Sequence, residues 1–376
     1  MVTREHLYLL MARNHEISLQ LCGLDFGDVD KNQLRDELVR YAQSIYSLSI
    51  DRVNTENRDL HARLSIYLTQ MMTCLEASHQ HPINVELEYV VGKLASEWNI
   101  DQRTNIILFS RGNFAVRHYD ALVFKALEQL YHTALTKHPR IVYFPREYDG
   151  DYIFSSVVFH EVGHMVENDR NLGGKVYDEL IKEIKDKPRS KILKDYFRLD
   201  YDKPEKNESR LRAYIREYIA DIFGSQYLGI HILHYLNCHE SQSRKTDTGD
   251  HPCFECREKM VSSFMDYVSR NPYSTSDKLL QIIVDVFHNE VAIPDLASRD
   301  INLNNANIVR GNAIVVTDCQ ELFSLFSATW RSLLCGISSV EASRGMAGGT
   351  LTRYDYYDSI NKATRQSIRD YMLNNP

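Results

Sequence analysis

Residues 157–167, with the sequence VVFHEVGHMVE, constrain the fold of this chain more than any other segment. His160 and His164 are four residues apart, and residues at that spacing share one face of an α-helix. The three apolar residues before His160 favour a buried helix, in which Gly163 leaves room for a substrate or a neighbouring backbone. The two imidazoles can then bind one metal ion. The alternative is a helix whose histidines only pack or cap.

Glu161 directly follows the first histidine, on the same helical turn. Neutral imidazole is a preferred ligand of Zn²⁺, and a bound zinc ion lowers the pKa of a water ligand to about 7. A carboxylate beside the first histidine can reach that water without binding the ion, and it can accept the proton that the water loses. Glu161 is therefore the candidate general base of a zinc-dependent hydrolysis.

A second polar pair lies in residues 214–224, YIREYIADIFG. Glu217 and Asp221 are four residues apart and share one face of a largely apolar helix. Buried carboxylates are costly unless they are paired or bound to a metal. A catalytic zinc site normally has three protein ligands and one water. One carboxylate can therefore supply the third ligand, while the other accepts the N–H of a ligating histidine and fixes its orientation.

The two motifs in this order, His-Glu-x-x-His and then Glu-x-x-x-Asp, resemble the gluzincin branch of the zincin metallopeptidases. The resemblance covers residues 140 to 260, about a third of the chain. It implies one catalytic Zn²⁺ with three protein ligands, His160, His164 and Glu217. It also implies Glu161 as the catalytic base and Asp221 as the carboxylate that supports a ligand. Some zincins use aspartate to bind the ion, so Asp221 as the third ligand is the alternative.

A further resemblance lies downstream of the second motif. Asp250-His251-Pro252, followed by Arg257, resembles the His-Pro…Arg element that follows the second motif in several gluzincins. It implies that His251 is catalytic and donates a hydrogen bond to the oxyanion of the tetrahedral intermediate. A histidine that only precedes a proline at the start of a helix is the alternative.

The chain has seven cysteines at wide spacing. An odd number without a secretion signal indicates reduced thiols in a cytoplasmic protein. Cys253 and Cys256 form a Cys-x-x-Cys pair that, together with Cys238, could bind a second, structural Zn²⁺, because two thiolates at that spacing can share one tetrahedral ion. A disulfide and free thiols are the alternatives. A metal ion at these cysteines would leave His251 less free for catalysis.

Apolar residues recur at steps of three and four, as at Leu34, Leu38 and Tyr41. With only 16 glycines and 9 prolines, the chain is expected to adopt a mainly α (α+β) fold, in which a zincin-like core carries a small β-sheet edge. Residues 140–144 are the candidate edge strand for an extended substrate. We expect three regions: a helical N-terminal region at 1–100, the catalytic core at 101–260 with a charged insertion at 175–210, and a helical C-terminal region at 261–376.

The expected function is hydrolysis of peptide bonds in a peptide or protein substrate. The net charge of −7 and the pI of about 6.1 give no overall electrostatic footprint for nucleic acid. No charge-free apolar run reaches the length of about 18 residues that predicts a membrane span. Two other functions remain open. One is a regulatory or interaction protein that keeps a zincin fold with little turnover, and the other is a toxin or effector protease with one protein target.

Overall fold

The computed structural model of the chain describes residues 2–47, 55–80, 84–100, 103–110, 115–118, 125–126, 128–130, 135–185, 191–198, 207–239, 251–270, 275–290, 293–345 and 353–375. These residues are mainly helical and contain one small sheet, which confirms the predicted mainly α class. None of the described helices is both long enough and apolar enough to cross a bilayer. The contacts divide the chain into two compact units: Met1–Val85 with Asp101–Glu147 (unit 1), and Glu86–Ile100 with Tyr148–Pro376 (unit 2).

Three helices form most of the described part of unit 1: α1 (Arg4–Leu21), α2 (Val29–Tyr46) and α3 (Thr55–Gln80). Thr3 caps α1 by accepting a hydrogen bond from the backbone N–H of His6 at 3.2 Å, and Asp28 caps α2 by accepting one from Lys31 at 2.8 Å. The apolar residues that recur at helical spacing, such as Leu38, pack into one buried core. The helical periodicity of this part of the sequence is therefore confirmed.

The sheet of unit 1 has three strands: β1 (Arg103–Ser110), β2 (Ala115–His118) and β3 (His138–Pro145). Strand β3 is central, because it pairs in parallel with β1, placing Ile141 opposite Ile106, and antiparallel with β2, placing Val142 opposite Val116. The prediction that residues 140–144 form an edge strand is therefore wrong, since both sides of β3 already have partners. Strand β2 spans only four residues, and so short a segment shows no clear alternation in the sequence.

The described helices of unit 2, in chain order, are α4 (Val85–Glu97), α5 (Val158–Arg170), α6 (Leu172–Lys185), α7 (Glu208–Leu228), α8 (Ile232–His239), α9 (Phe254–Arg270), α10 (Lys278–His288), α11 (Ala306–Val309), α12 (Cys319–Gly345) and α13 (Arg353–Asn374). Short 3₁₀ helices occur at Arg146–Tyr148, Phe154–Val157 and Gly229–His231. A π-helix spans Leu193–Phe197.

Helix α7 is the central helix of unit 2, and every residue on it from Glu217 to Leu228 is buried. A helix that is buried on all faces needs neighbours all round, and α7 packs against α5, α6, α9 and α12. An aromatic cluster fixes its position. Phe159 on α5 stacks on Tyr227 with ring centroids 5.1 Å apart, and Trp98 packs against Phe223 at 4.7 Å. The helices that carry the two polar motifs are therefore held in contact by a rigid core.

The charged insertion predicted at 175–210 begins within α6. The apolar face of this helix is buried at Val176, Leu180 and Ile184, and it packs against α7 and α10. The charged residues of the segment occupy the exposed face, as at Lys182, which pairs with Glu179. This part of the insertion is therefore an amphipathic helix of unit 2. Residues 186–190 and 199–206 lie outside the described part of the chain.

Candidate metal centre

Helices α5 and α7 bring the two polar motifs together through an unusually close approach. A Cβ atom added at Gly163 would lie 2.9 Å from the Cα atom of Ala220 and 2.8 Å from the Cβ atom of Phe223. Real Cβ atoms do not approach other atoms so closely, so only glycine permits this crossing. Gly224 on α7 also faces the backbone of His160, but a Cβ added there would make only an ordinary contact of 3.6 Å with the His160 nitrogen. The space that Gly163 leaves is filled by a neighbouring backbone.

His160, His164 and Glu217 point to one place between these helices. Their Nε2 and carboxylate oxygen atoms all lie within 4.8 Å of one another. The two Nε2 atoms are 3.1 Å apart, and the Glu217 oxygens lie 3.5 Å from that of His160 and 3.4 Å from that of His164. Ligands of a tetrahedral zinc ion with bonds of about 2.0–2.1 Å are separated by about 3.3 Å. Among the described residues this is the one group of three that could hold a metal ion.

The three candidate ligands are unequally exposed. The side chains of His160 and Glu217 are buried, with 7% and 9% of their surface exposed, whereas His164 is 22% exposed. Solvent therefore reaches the group from the side of His164. A catalytic site needs such an open position for water or substrate, in contrast to a closed structural site.

Asp221 holds the far side of the His160 ring. Its Oδ1 atom lies 3.1 Å from Nδ1 of His160, the nitrogen that points away from Glu217. Asp221 is fully buried and does not belong to the group of three ligands. A carboxylate at the second nitrogen of a histidine fixes the tautomer and the ring orientation. The geometry thus favours Glu217 over Asp221 as the third ligand.

Arg257 is a site residue whose role is not predicted by the sequence beyond its place in the His-Pro…Arg element. It is only 3% exposed and donates two hydrogen bonds to Asp221, from Nε to Oδ2 at 2.8 Å and from Nη2 to Oδ1 at 2.6 Å. Its Nη2 atom also lies 3.3 Å from Oε2 of Glu217. This two-pronged contact compensates the burial of two carboxylates and fixes both. The only sequence signal for it was the spacing between His251 and Arg257.

His251 lies beside the candidate ligand Glu217. Its Nδ1 atom is 3.2 Å from Oε2 of Glu217, while 54% of its side chain is exposed. The structure therefore brings the predicted catalytic histidine to the site and places it on the solvent side. Its oxyanion role remains a prediction, because the contact observed is with a ligand carboxylate.

Glu161 is buried and lies outside the group of ligands. Burial raises the pKa of its carboxyl group to about 7, the positive charge of His160 opposes this rise, and the negative charge of Glu217 adds to it. A carboxylate with a pKa near 7 can both accept and return a proton at neutral pH. This is the protonation behaviour that a general base beside a metal requires.

The two histidines have opposite protonation behaviour. Burial alone would lower the pKa of His160, but its contacts with Asp221 and Glu217 outweigh burial and raise that pKa to about 10. For His164, burial dominates and lowers the pKa to about 4. Burial would also raise the pKa of Glu217, yet the imidazoles around it and Arg257 hold the pKa well below its ordinary value. Glu217 is therefore a carboxylate and His164 a neutral imidazole, as metal ligands must be.

The cysteines proposed for a second zinc ion lie beside this centre. Cys253 and Cys256 are buried, free of disulfides and 3.3 Å apart between sulfur atoms. The side chain of Cys238 lies outside the described residues. Within the described residues, no third ligand joins the two thiols to form a metal-binding group. The second zinc ion therefore remains a prediction.

We compared the chain with family models, with curated proteins and with solved structures. None of them matches it. The likeness to gluzincins thus depends on the motif residues alone.

Proposed function

We propose that the chain is a zinc-dependent metallopeptidase of the gluzincin type. The observation that carries this proposal is the convergence of His160, His164 and Glu217 within 4.8 Å, from two motifs more than fifty residues apart on α5 and α7. Residues so distant in sequence and so polar are rarely buried together without a ligand or a shared charge partner. The proposal includes a peptide or protein substrate and a cytoplasmic location.

The donor set fits zinc. Two imidazole nitrogens and one carboxylate oxygen, with an exposed side for a fourth ligand, are the usual set of a catalytic zinc site. Oε2 of Glu217 is buried and has ion-pair contacts with Arg257 at 3.3 Å and His251 at 3.2 Å, but it receives no hydrogen bond of good geometry from the described residues, so that a cation could bind it. When bound, zinc would polarise the scissile carbonyl group and make the attacking water more acidic. Asp221 and Arg257 would keep the ligands in place.

Glu161 carries out the proton transfers in this proposal. Its carboxylate accepts a proton from the attacking water and later delivers it to the nitrogen of the leaving amine. Burial raises the pKa of Glu161 to about 7 in the metal-free protein, which shows that this carboxyl group lies where its charged form is poorly solvated and can readily take up a proton. Glu161 thus acts first as a base and then as an acid.

His251 is the residue proposed to bind the oxyanion. With more than half of its side chain exposed, it can touch a bound substrate. Its Nδ1 atom contacts Glu217, so the hydrogen bond to the oxyanion would come from Nε2. The contact with Glu217 also orients the ring, as required of a donor that stabilises developing charge.

Replacing Glu161 by Gln tests the proposal. We expect the variant to bind zinc like the wild type and to hydrolyse a proteome-derived peptide mixture about 10²- to 10⁴-fold more slowly, because the amide cannot accept the proton. Glu167→Gln is the matched control. Glu167 lies on the same helix, is also buried, and accepts a hydrogen bond from the backbone of Gly173 at 3.2 Å. We expect this control to keep its activity within about tenfold.

Two results would count against peptidase activity. One is equal turnover by the wild type and Glu161→Gln with zinc bound to both. The other is a zinc-loaded wild type that hydrolyses no peptide, together with a Glu161→Gln variant that has the same effect in the cell as the wild type. The second result would favour the regulatory alternative, in which the fold binds zinc without turnover.

A further inference from the structure

Cys253 and Cys256 form a close pair of thiols at the start of α9. Cys253 directly precedes the helix, and its carbonyl oxygen accepts hydrogen bonds from the backbone N–H groups of Cys256 at 3.0 Å and Arg257 at 3.2 Å. The two sulfur atoms are 3.3 Å apart. A disulfide bond requires about 2.05 Å, so bond formation needs a movement of little more than an ångström.

The pair lies where a helix begins and close to an arginine side chain. Helix α9 has 17 residues, and the positive end of its dipole lies at these cysteines. The guanidinium group of Arg198 interacts with both thiols and is held in place by Glu255, with Nη2 2.7 Å from Oε2. A helix N-terminus and a nearby arginine are the two features that typically activate a cysteine.

The burial of the two sulfur atoms restricts which oxidants can react with them. Cys253 is 1% exposed and Cys256 is 4% exposed. A bulky disulfide such as oxidised glutathione cannot line up with a sulfur so deeply buried, so that an oxidant of this pair must be as small as hydrogen peroxide, with its two heavy atoms. The pair therefore favours a peroxide over thiol–disulfide exchange.

We propose that Cys253 and Cys256 are a peroxide-sensitive dithiol whose closure to a disulfide weakens metal binding at the neighbouring centre. One thiolate attacks an oxygen of hydrogen peroxide, the O–O bond breaks, and hydroxide leaves with the thiol proton as water, which gives a sulfenic acid. The other thiol then attacks that sulfur. The S–S bond forms, the S–O bond breaks, and a second water leaves. Two sulfurs are oxidised and one peroxide is reduced.

The link to the metal centre is the chain on either side of the pair. His251 precedes Cys253 by two residues and contacts Glu217, and Arg257 directly follows Cys256 and contacts both Asp221 and Glu217. Arg257 is buried and held by two hydrogen bonds to Asp221, whereas the side chain of His251 is more than half exposed where it contacts Glu217. Because residues 251–253 are the less firmly held segment, closing the disulfide would move them more than Arg257 and would draw His251 away from Glu217.

This regulatory effect rests on the proposed metal site, whereas disulfide formation does not. Loss of a residue that orients a metal ligand typically lowers metal affinity by about tenfold to a hundredfold. We therefore expect the oxidised full-length protein to bind zinc about tenfold more weakly than the reduced protein.

The first measurement counts thiols and maps disulfides after peroxide treatment of the zinc-free full-length chain. We expect Cys253 and Cys256 to be joined in one molecule, and Cys253→Ser and Cys256→Ser to lack this bond. The control is the double variant Cys22→Ser/Cys335→Ser, which removes two exposed thiols and should form the bond like the wild type. Sulfenic acid that does not proceed to the disulfide, or bonds only to other cysteines, would overturn the proposal.

The second measurement compares zinc affinity before and after oxidation. We expect the wild type to lose about tenfold, His251→Ala to bind as weakly as the oxidised wild type, and oxidation of His251→Ala to change nothing further. Equal affinities for the reduced and the oxidised wild type would overturn the regulatory link. If the reduced protein binds no zinc, both the metallopeptidase proposal and the regulatory link fail. The disulfide map then still decides whether Cys253 and Cys256 are a redox site.

Discussion

The residues at the metal centre form a balanced set of buried charges. Glu217 and Asp221 carry negative charge, since Arg257 and the histidines hold the pKa of both carboxyl groups low against the effect of burial. Arg257 neutralises one of them through its two hydrogen bonds to Asp221. A protonated His160 can neutralise the other. Buried charges persist only when paired in this way, so a metal ion must displace the proton of His160 in order to bind.

This competition makes zinc binding depend on pH. Because the pKa of His160 in the metal-free protein is raised to about 10, its ring is protonated at pH 8 and loses that proton when zinc binds. Zinc affinity should therefore rise with pH, by about tenfold per pH unit, and should fall as the pH drops. Calorimetric titrations in two buffers of different ionisation enthalpy should show about one proton released per zinc at pH 8. Binding without proton release would contradict the assigned state of His160.

Asp221→Asn tests the support that Asp221 gives to His160. The amide keeps the shape of the side chain but loses the charge that orients the ring, so zinc affinity should fall by about tenfold to a hundredfold. Asp300→Asn is a matched control, since Asp300 is also largely buried and pairs with an arginine, Arg331, at 3.0 Å. The control should change stability while zinc affinity stays the same. Equal losses of affinity in both variants would show a general effect of unfolding.

Among the elements, helices α5 and α7 carry the candidate ligands, and Gly163 allows these two helices to approach closely where they cross. Gly163→Ala places a Cβ atom 2.9 Å from the backbone of Ala220, and backbone cannot yield as a flexible side chain can. We expect a loss of about 1–3 kcal/mol in the free energy of unfolding and weaker zinc binding, measured by chemical denaturation and zinc titration.

Gly92→Ala is the control for that substitution. Gly92 also lies within a helix, α4, but an added Cβ there meets nothing within 4 Å. Alanine should therefore stabilise the helix by about 0.5–1 kcal/mol and leave zinc affinity unchanged. If Gly163→Ala behaved like Gly92→Ala, the close approach of the helices would not matter for the site.

Much of the helical framework could be predicted, because helical periodicity is a local signal. The pattern at Leu34, Leu38 and Tyr41 falls within α2, and both polar motifs fall on helices. Their four-residue spacing even gave the face that each pair shares. The role of β3 could not be predicted from its own residues, because being central depends on β2, a strand of four residues. The contacts of Arg257 likewise depend on the packing of α9 against α7.

At the scale of the whole molecule, the chain passes between the two units more than once. Glu86–Ile100 belongs to unit 2, although the residues before and after it belong to unit 1. The reason is long-range contact: Trp98 packs against Phe223, and Glu97 pairs with Arg299 at 3.1 Å. The sequence-based division placed 1–100 in one region, because local patterns carry no signal for contacts between residues so far apart.

The location of the centre within unit 2 predicts a local effect of zinc on stability. A ligand that binds only the folded state stabilises it, by about 2.7 kcal/mol at a concentration 100 times the dissociation constant. Hydrogen exchange should therefore slow in α5 and α7 when zinc is added, and treatment with a chelator should reverse this change. Amides in α1 to α3 of unit 1 serve as the internal reference. Equal slowing in both units would argue against a site confined to unit 2.

Metal analysis of the purified full-length protein measures whether His160, His164 and Glu217 bind one zinc ion. After equilibration with zinc and removal of the excess, we predict about one zinc per chain in the wild type and in His288→Ala, which changes an exposed histidine far from the ligands in sequence. His160→Ala should lose that ion. Equal zinc content in all three proteins, or none in the wild type, would show that His160, His164 and Glu217 do not form a zinc site.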